Sequence, residues 1–475
     1  WNNVTNDAVR FSGVFYPFNR AVERHSGKTY RQFTKDAMQY FKNRALPAQT
    51  KAATALTYLT EAEKNNVIDY RFATFINDDS ILVTKRSYKA IPAFCIISKG
   101  KETSIRLRDI GIDDYYSYRN GKVVYAAYQS DPRWTNREYS VIKLLDMYTG
   151  QQRQITSQSR LFSPDINEAG TEILAVEVKP DGSNHLVRID AQTGKQTATT
   201  PNSQNYFFTQ SKFINSGTAV SAARSPEGKM ALITIDLTSG TINELTPFSY
   251  NVIGYPFVRG DVVYFNAMYD QSDAIFAVNM TNKKIYKLTE NNNGVYSPAV
   301  NDKGELLLSA FTSNGYRLAS VTLQKESWTE FSPGDMIAGN DRYFAAASLQ
   351  ISGKGILAKL KEADLETAVK SPVTKYRKSF RLFNFHSWRP VVADPEYGYS
   401  LYGDNVLSSF KSAVTYTYNR SDMSHTLGFN AIYAGWFPVL NAGVETSFNR
   451  TVDTALGKSV SYNAATVKAG ISVPL

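Results

Sequence analysis

The sequence predicts a mainly β protein: a six-bladed β-propeller, preceded by a short α-helical segment and followed by antiparallel strands of a partial β-barrel. Three observations predict this fold class. Tyr and Phe, which favour strands, number 30 and 26 among the 475 residues. A turn motif recurs through the middle of the chain with a period of about 45 residues, as propeller repeats do. The last part of the chain alternates apolar and polar residues, which is typical of strands with two different faces.

Composition narrows the class of protein further. The chain is 43% hydrophobic and 20% charged, which indicates folded domains and excludes a mainly disordered protein. Its 475 residues, against roughly 150 for a typical domain, predict more than one folding unit. No apolar run reaches the roughly 20 residues of a membrane-spanning helix. The single cysteine, Cys95, excludes a scaffold of internal disulfides.

The propeller prediction rests on two series of turn residues. The motif Asp-x-x-Thr/Ser-Gly begins at Asp146, Asp190 and Asp236, with a degenerate copy at Asn279. Hairpin glycines recur with the same period, at Gly121, Gly170, Gly217, Gly260 and Gly304. Each period contains four short β-type runs separated by turn residues, which is the pattern of a propeller blade.

Phasing on these turns divides residues 67–333 into six blades. The predicted blades are 67–111, 112–158, 159–204, 205–250, 251–294 and 295–333. The four strands of the last blade are predicted at "YSPAV", "GELLLSAF", "GYRLASVTL" and "SWTEFS". The pairs Ser163-Pro164 and Ser297-Pro298 lie three repeats apart and support this phasing.

Residues 1–66 have a different pattern. Apolar residues at helical spacing predict two helices joined at Ser26-Gly27, and the stretch 45–66 is predicted to be the tail of a helical unit or a linker. A helix pair this small buries little apolar area, so we expect it to belong to a larger upstream domain. Since the sequence starts at Trp1 without a leader, it is expected to be an internal span of a longer protein.

The pattern of residues 334–475 predicts a third kind of structure, the beginning of a β-barrel. Residues 334–400 are expected to form a linker and the approach to a barrel, and residues 401–475 the first strands of that barrel. From Phe410 onward, apolar residues alternate with small polar ones in runs of about 9 to 12 residues, as in transmembrane β-strands. A soluble β-sandwich has the same alternation, so periodicity alone leaves both structures open.

Several segments resemble one protein family when they are taken in order. "FSPDINEAGTEILAVEVKPDG" and "YSPAVNDKGELLLSAF" resemble TolB-type propeller repeats, although the repeat with "GYPFVRGDVVYF" lacks their Ser-Pro. "YPFNRAVERHSGKTYRQF" is similar to the closing helices of a gluzincin-like peptidase domain, "SDPRWTNREYSVIKLLDMYTG" to a characteristic second blade, and "FNFHSW" to the segment before a first barrel strand.

The family combines these three parts in large outer-membrane proteins of Bacteroidota: a peptidase-like domain, a TolB-like six-bladed propeller and a C-terminal outer-membrane barrel. The resemblance covers the whole chain. It implies that residues 1–66 are a helical remnant of the peptidase-like domain, that the propeller lies in the periplasm, and that the last strands belong to an outer-membrane barrel surrounded by lipid.

Motifs of catalysis are missing from the sequence. It contains no H-E-x-x-H zinc motif, no G-x-S-x-G nucleophile elbow and no Walker loop. Each of His25, His185, His386 and His425 has an ordinary structural explanation, and Cys95 lies in the apolar run "AFCIIS", which is typical of a buried thiol. We therefore predict no catalytic residue, no metal site and no cofactor, and do not expect this span to be an enzyme.

The best candidate for an interaction site is the insertion "YQSDPRWTNREYS" in the second blade. Asp131-Pro132 opens a loop from which Arg133, Trp134 and Arg137 are expected to project. Because Trp and Arg are enriched in binding hot spots, we predict that these three residues contact a partner. The alternative is that Trp134 covers the blade and Arg137 forms a local pair. The net charge of +10 is spread along the chain, so a protein or peptide is the expected partner and nucleic acid is not.

These observations predict a non-enzymatic span of an outer-membrane protein. Its periplasmic propeller would be a docking platform for a protein or peptide, in envelope biogenesis, in transport or in a multi-protein outer-membrane complex. Two alternatives stay open. One is the non-catalytic part of a zinc metallopeptidase whose propeller filters substrates, and the other is a soluble propeller with a C-terminal β-sandwich.

Overall fold

The structure is a computed structural model. It describes residues 2–9, 18–44, 53–112, 114–134, 136–269, 272–290, 293–324, 328–334, 375, 381–454 and 457–473. These residues form three short helices and 31 strands, which confirms the prediction of a mainly β protein. The chain divides into two compact units, Trp1–Ala55 with Thr289–Asn292, and Leu56–Leu288 with Asn293–Leu475.

The first unit contains the three helices, α1 (Asn2–Ala8), α2 (Phe18–Ser26) and α3 (Tyr30–Arg44). Val22 of α2 is buried together with Val4 of α1. Helix α2 ends at Gly27, whose φ of 68° lies in the left-handed region that favours glycine. Among the residues that the structure describes, no helix is long and apolar enough to cross a membrane.

The second unit begins with a two-residue strand, β1 (Thr57–Tyr58), and six antiparallel sheets follow. Sheet 1 contains β2 (Ile68–Asn77), β3 (Ser80–Ser87), β4 (Ala93–Ser98) and β5 (Lys101–Leu107). Sheet 2 contains β6 (Tyr116–Arg119), β7 (Lys122–Ser130), β8 (Glu138–Asp146) and β9 (Gln152–Gln154). Sheet 3 contains β10 (Leu161–Ile166), β11 (Glu172–Val178), β12 (Asn184–Asp190) and β13 (Gln196–Thr199).

The other three of these sheets repeat the arrangement. Sheet 4 contains β14 (Phe207–Phe213), β15 (Thr218–Arg224), β16 (Met230–Asp236) and β17 (Ile242–Glu244). Sheet 5 contains β18 (Ile253–Arg259), β19 (Val262–Ala267), β20 (Ala274–Asn279), β21 (Ile285–Lys287) and an added strand, β25 (Thr329–Glu330). Sheet 6 contains β22 (Val295–Val300), β23 (Glu305–Thr312), β24 (Gly315–Thr322) and β1.

Apolar residues hold the sheets together in a ring. Five buried clusters join successive sheets, from sheets 1 and 2 through sheets 5 and 6. A further cluster joins sheet 1 to sheet 6, with Val83 and Cys95 on one side and Leu307 and Leu318 on the other. Sheets that follow one another around a closed ring have the arrangement of a β-propeller.

The repeated turn motif lies between the third and fourth strands of sheets 2, 3, 4 and 5. In sheet 3 one carboxylate oxygen of Asp190 accepts the backbone N–H groups of Gln192 at 3.1 Å and Thr193 at 2.7 Å. Gly194 then adopts a φ of 72°, which favours glycine. The amide oxygen of Asn279 accepts two backbone N–H groups in the same way, so the degenerate copy forms the same turn.

The outer strand of sheet 6 differs from the sequence prediction. The segment "SWTEFS" was expected to supply it, but β25 within that segment pairs with β21 of sheet 5. The outer strand is β1, which pairs with β24 and lies in the stretch predicted to be a helical tail or linker. This prediction was wrong because a strand of two residues has too little pattern to be detected, and its partner lies more than 250 residues away.

The last part of the chain forms one antiparallel sheet of six strands in chain order. These strands are β26 (Phe385–Ala393), β27 (Glu396–Asp404), β28 (Phe410–Asn419), β29 (Ser424–Tyr433), β30 (Val439–Asp453) and β31 (Ser459–Ser472). The sheet therefore begins at Phe385, inside the stretch that was predicted to lead into a barrel. Most of the predicted linker between residues 334 and 380 lies outside the described residues.

Candidate functional site

The same irregularity occurs in the first strand of five sheets. In β2, β10, β14, β18 and β22 the register with the second strand shifts, which marks a β-bulge. One residue in each shift has a positive φ: Phe72 (57°), Ser163 (46°), Gln210 (52°), Tyr255 (53°) and Ser297 (56°). The two Ser-Pro pairs used for phasing lie at two of these bulges, and Tyr255-Pro256 occupies the same place in sheet 5. Proline suits a bulge because its missing N–H leaves no ladder bond broken.

The first strands of all six sheets surround one central cavity of about 310 Å³. Its lining includes residues at the bulges, among them Phe72 of sheet 1 and Ser297 of sheet 6, and also Tyr115, which directly precedes β6 of sheet 2. The lining continues to Ile76, Asn120 and Arg259 at the C-terminal ends of first strands. The cavity is therefore the central channel of the ring.

Three aromatic rings from different sheets meet in this channel. The ring centroids of Phe72 and Tyr115 lie 5.6 Å apart, and those of Phe72 and Tyr255 lie 5.4 Å apart. The third pair, Tyr115 and Tyr255, is separated by 6.3 Å. These distances are typical of aromatic contacts, so the three rings form an aromatic floor across the channel.

One buried carboxylate anchors the channel wall. Asp165, whose exposure is only 1%, accepts the backbone N–H of Phe213 at 2.9 Å. Nζ of Lys212 lies 3.3 Å from its Oδ1, and a guanidinium nitrogen of Arg119 lies 3.5 Å from its Oδ2. Lys212 also donates to the hydroxyl of Ser117, which itself donates to the Pro164 carbonyl at 2.8 Å. Sheets 2, 3 and 4 are thus joined by a charged cluster inside the channel.

Two cations in this cluster face one carboxylate. Burial opposes the charged form of Lys212, but the charge of Asp165 and the neighbouring Tyr115 hydroxyl together outweigh burial and raise the pKa of Lys212 above its ordinary value. The ammonium group therefore stays protonated at neutral pH. Its Nζ lies 4.6 Å from the ring centroid of Tyr115, at the distance of a cation–π contact.

The predicted interaction residues Arg133, Trp134 and Arg137 lie together around Asp131. The Asp131 carboxylate accepts the backbone N–H groups of Arg133 at 2.8 Å and Trp134 at 3.0 Å, and Nε of Arg137 lies 3.9 Å from it. The Arg133 guanidinium lies 4.9 Å from the Trp134 ring centroid. The same guanidinium donates to the Gly435 carbonyl in the C-terminal sheet at 2.6 Å. Binding of a partner at these three residues stays a prediction.

Sequence reasoning missed the charged cluster, although a signal existed. Ser117, Asp165 and Lys212 occupy the same position of three successive repeats, two residues after Tyr115, Ser163 and Gln210 respectively. Aligning the repeats on the bulge would have placed a hydroxyl, a carboxylate and an ammonium side by side in neighbouring sheets. Asp165 also directly follows Ser163-Pro164, one of the two Ser-Pro pairs used to phase the repeats.

The structure gives the other candidate residues ordinary surroundings. Nδ1 of His425 and the hydroxyl of Tyr416 are 2.8 Å apart, while Nε2 of His25 lies 3.4 Å from Asp7. Burial raises the pKa of the Cys95 thiol to about 11. In the portion of the chain that the structure describes, no three His, Cys, Asp or Glu side chains are grouped closely enough to hold a metal ion.

Comparisons with known proteins find similar solved structures but no family. No family model matches the sequence, and no curated protein matches it. Among solved structures, the chain is similar to TolB from Acinetobacter baumannii, with 14% identity and a TM-score of 0.39 over 51% of this chain and 63% of that one. It is similar to the β-propeller domain of the Trilobed protease from Pyrococcus furiosus, with 10% identity and a TM-score of 0.37 over 56% of this chain and 98% of that one.

A third similar structure is a structural genomics protein of unknown function from Bacteroides thetaiotaomicron VPI-5482. The identity is 9% and the TM-score 0.39, over 57% of this chain and 72% of that one. The match to Acinetobacter TolB spans less than two thirds of that protein's length. Similarities at these TM-scores say nothing about function, and the propeller arrangement rests on the six sheets and their contacts.

Proposed function

We propose that this chain is a non-enzymatic span of an outer-membrane protein. In this proposal β26–β31 are part of a membrane barrel surrounded by outer-membrane lipid, and the six sheets are the six blades of a TolB-like propeller in the periplasm. The propeller serves as a docking platform for a protein or peptide, within envelope biogenesis, transport or a multi-protein outer-membrane complex.

The observation that carries the proposal is the difference between the two faces of the C-terminal sheet. One row of directly paired residues crosses all six strands and is apolar throughout: Trp388, Leu401, Val414, Phe429, Val444 and Val467. The adjacent row, on the opposite face, is polar or small: Arg389, Ser400, Thr415, Gly428, Glu445 and Thr466. Transmembrane barrels have this alternation, with the apolar face toward lipid and the polar face toward the lumen.

Exposure of the apolar row supports lipid as its neighbour. Trp388 is 60% exposed, Val444 is 44% exposed and Val467 is 80% exposed. Apolar surface of this extent is unfavourable in water, because each Å² transferred to an apolar environment contributes about 25 cal/mol. The strands of 9 to 15 residues are also long enough to span the hydrocarbon core, which needs about 9 to 11 tilted residues.

The closed channel supports docking rather than conduction. The aromatic floor of Phe72, Tyr115 and Tyr255 crosses the ring, so the channel is a cup that opens toward the turns after the first strands. A cup of about 310 Å³ accommodates a side chain or chain end, while the surrounding turns offer area for a larger surface.

Fractionation of the full-length protein tests the membrane assignment. Outer membranes prepared from cells that express it are washed with alkaline carbonate, which removes peripheral proteins. The proposal expects the protein to stay in the pellet and to require detergent for release. Recovery in the carbonate supernatant would refute the membrane barrel and favour the soluble sandwich.

Photo-crosslinking tests the docking role. A benzophenone amino acid placed at Asn120, on the channel face, is expected to form an adduct with one defined protein, identified by mass spectrometry. The matched control is Tyr88, which is 93% exposed and lies in the turn between β3 and β4, at the opposite ends of the strands from the turns that follow the first strands. Equal adducts at both positions, or none at Asn120, would contradict docking at the channel face.

A further inference from the structure

We infer that the central cavity is a carboxylate-binding pocket, which takes a terminal or side-chain carboxylate of a docked peptide. The inference rests on the proposed docking function and specifies the chemistry of the docked group. It is supported by an excess of positive charge in the buried cluster, by a buried hydroxyl without a partner among the described residues, and by the size and floor of the cavity.

The charge inside the cavity favours a monoanion. The carboxylate of Asp165 already accepts the Phe213 N–H and faces both Lys212 and Arg119. Two cations against one carboxylate leave one positive charge in excess in this buried cluster, whose Lys212 side chain is only 14% exposed. At the mouth of the cavity the lining adds one group of each sign, the exposed Glu168 and Arg259, and Arg259 is already paired with Asp302. An incoming carboxylate would balance the excess charge of the buried cluster and reduce the penalty of keeping it away from water. A phosphate dianion would reverse the imbalance.

One hydroxyl group that lines the cavity, Oγ of Ser297, has no hydrogen-bond partner in the described parts of the chain, and its residue is 5% exposed. A buried hydroxyl without a partner is unfavourable by roughly 1 to 3 kcal/mol. The hydroxyl of Tyr115, a residue that is 6% exposed, lies beside Lys212 and Ser117. Both hydroxyls can donate to a carboxylate oxygen, and they lie in sheet 6 and directly before β6 of sheet 2, so they approach the cavity from different sides.

The dimensions and floor of the cavity point to a peptide group rather than a folded surface. About 310 Å³ is at the lower end of the volumes of small-molecule sites, so only a single residue fits inside. The rings of Phe72, Tyr115 and Tyr255 provide an apolar floor for the carbon atoms that carry the carboxylate. A partner would insert a chain end or an acidic side chain and leave the remainder on the channel face.

Binding of defined peptides to the full-length protein in detergent, measured by isothermal titration calorimetry, tests the pocket. The probes are acetyl-Gly-Gly-Phe with a free C-terminal carboxylate, the same acetylated peptide as its C-terminal amide, and acetyl-Gly-Glu-Gly-amide. At least one carboxylate peptide is expected to bind about tenfold more tightly than the uncharged amide, the gain typical of a charge-assisted hydrogen bond. Preference for the first probe identifies a chain end, and preference for the third an acidic side chain. Equal binding of all three, or no binding, overturns the inference.

Matched variants locate the binding. Tyr115→Phe removes a hydroxyl that lines the cavity, and Tyr269→Phe removes the hydroxyl of a buried residue that lies outside the cavity lining. The preferred carboxylate peptide is expected to bind several-fold more weakly to Tyr115→Phe and about tenfold more weakly to Arg119→Gln, with Tyr269→Phe unchanged. Equal effects of the two tyrosine substitutions would overturn the inference. If the peptides fail while the Asn120 crosslink persists, the docking platform stands and the carboxylate pocket falls.

Discussion

The buried pair of Asp165 and Lys212 makes a quantitative prediction about the stability of the propeller. Asp165→Asn keeps an oxygen that can accept the Phe213 N–H but removes the charge. Lys212 and Arg119 are then left in the channel without a counter-charge. Removing one partner of a buried ion pair costs about 3 to 5 kcal/mol, and we expect this substitution to fall in that range.

The partner substitutions complete a double-mutant cycle. Lys212→Met removes the ammonium and leaves Asp165 with Arg119 and the Phe213 N–H, so its cost should be smaller, about 1 to 3 kcal/mol. In the double variant the more deeply buried cation, Lys212, is gone, and only Arg119, whose side chain is 30% exposed, has lost the carboxylate, so the cost should lie well below the sum of the two single costs. The expected coupling energy is therefore at least about 2 kcal/mol.

Urea unfolding in detergent, followed by near-ultraviolet circular dichroism, provides the measurement. With an m-value of about 3 kcal/mol/M, Asp165→Asn should lower the urea midpoint by about 1 M or more. The reasoning is refuted if the two single costs add in the double variant to within about 0.5 kcal/mol, because independent sites behave in that way. It is also refuted if Asp165→Asn leaves the midpoint unchanged.

Three further predictions address other parts of the chain. Thr60→Val removes the hydroxyl that accepts the buried N–H of Leu318 at 3.2 Å. It should therefore lower the free energy of unfolding by about 1 to 3 kcal/mol in the same urea assay. An unchanged free energy of unfolding would contradict closure of sheet 6 by this segment. Backbone hydrogen bonds lower the pKa of Asp190, so its stabilising effect is present above the ordinary Asp pKa and lost as pH falls toward the lowered value. In thermal melts at neutral pH, Asp190→Ala should therefore lower the melting temperature, whereas Asp190→Asn should lower it little and should make it depend less on acid pH. Equal losses of stability for the two variants would contradict the role of Asp190 as a hydrogen-bond acceptor. In a folding assay with lipid vesicles, Val467→Arg should make the free energy of membrane insertion less favourable by about 2 to 4 kcal/mol. Thr466→Arg, on the opposite face, should be tolerated in the same assay. Equal tolerance of both substitutions would contradict a lipid-facing row.

Sequence reasoning succeeded where structure is local. The turn at Asp190 needs only an acceptor followed closely by two N–H groups and a glycine, so its recurrence revealed the repeat. The alternation in β28 to β31 likewise reflects neighbouring residues on opposite faces of a strand.

Sequence reasoning failed where the residues that pair with each other are distant in the chain. Strand β1 pairs with β24, although most of the chain that forms the ring lies between them in the sequence. A strand of two residues is also too short to show a periodic pattern. The cluster of Asp165, Lys212 and Arg119 joins three separate strands, and the bulges in two of them precede Asp165 and Lys212. Its members are visible in the sequence only after the repeats have been aligned on those bulges.

The most direct test of the membrane assignment is site-directed spin labelling along β31 in the full-length protein reconstituted in lipid. Cys95 is buried, with an exposure of 1%, so single cysteines introduced into this strand can be labelled selectively. The account predicts that odd-numbered positions from Ala465 to Ala469 are relaxed by oxygen dissolved in the bilayer, and that even-numbered positions from Ala464 to Lys468 are relaxed by a water-soluble nickel complex. Relaxation by nickel at every position, or the absence of alternation, would contradict it.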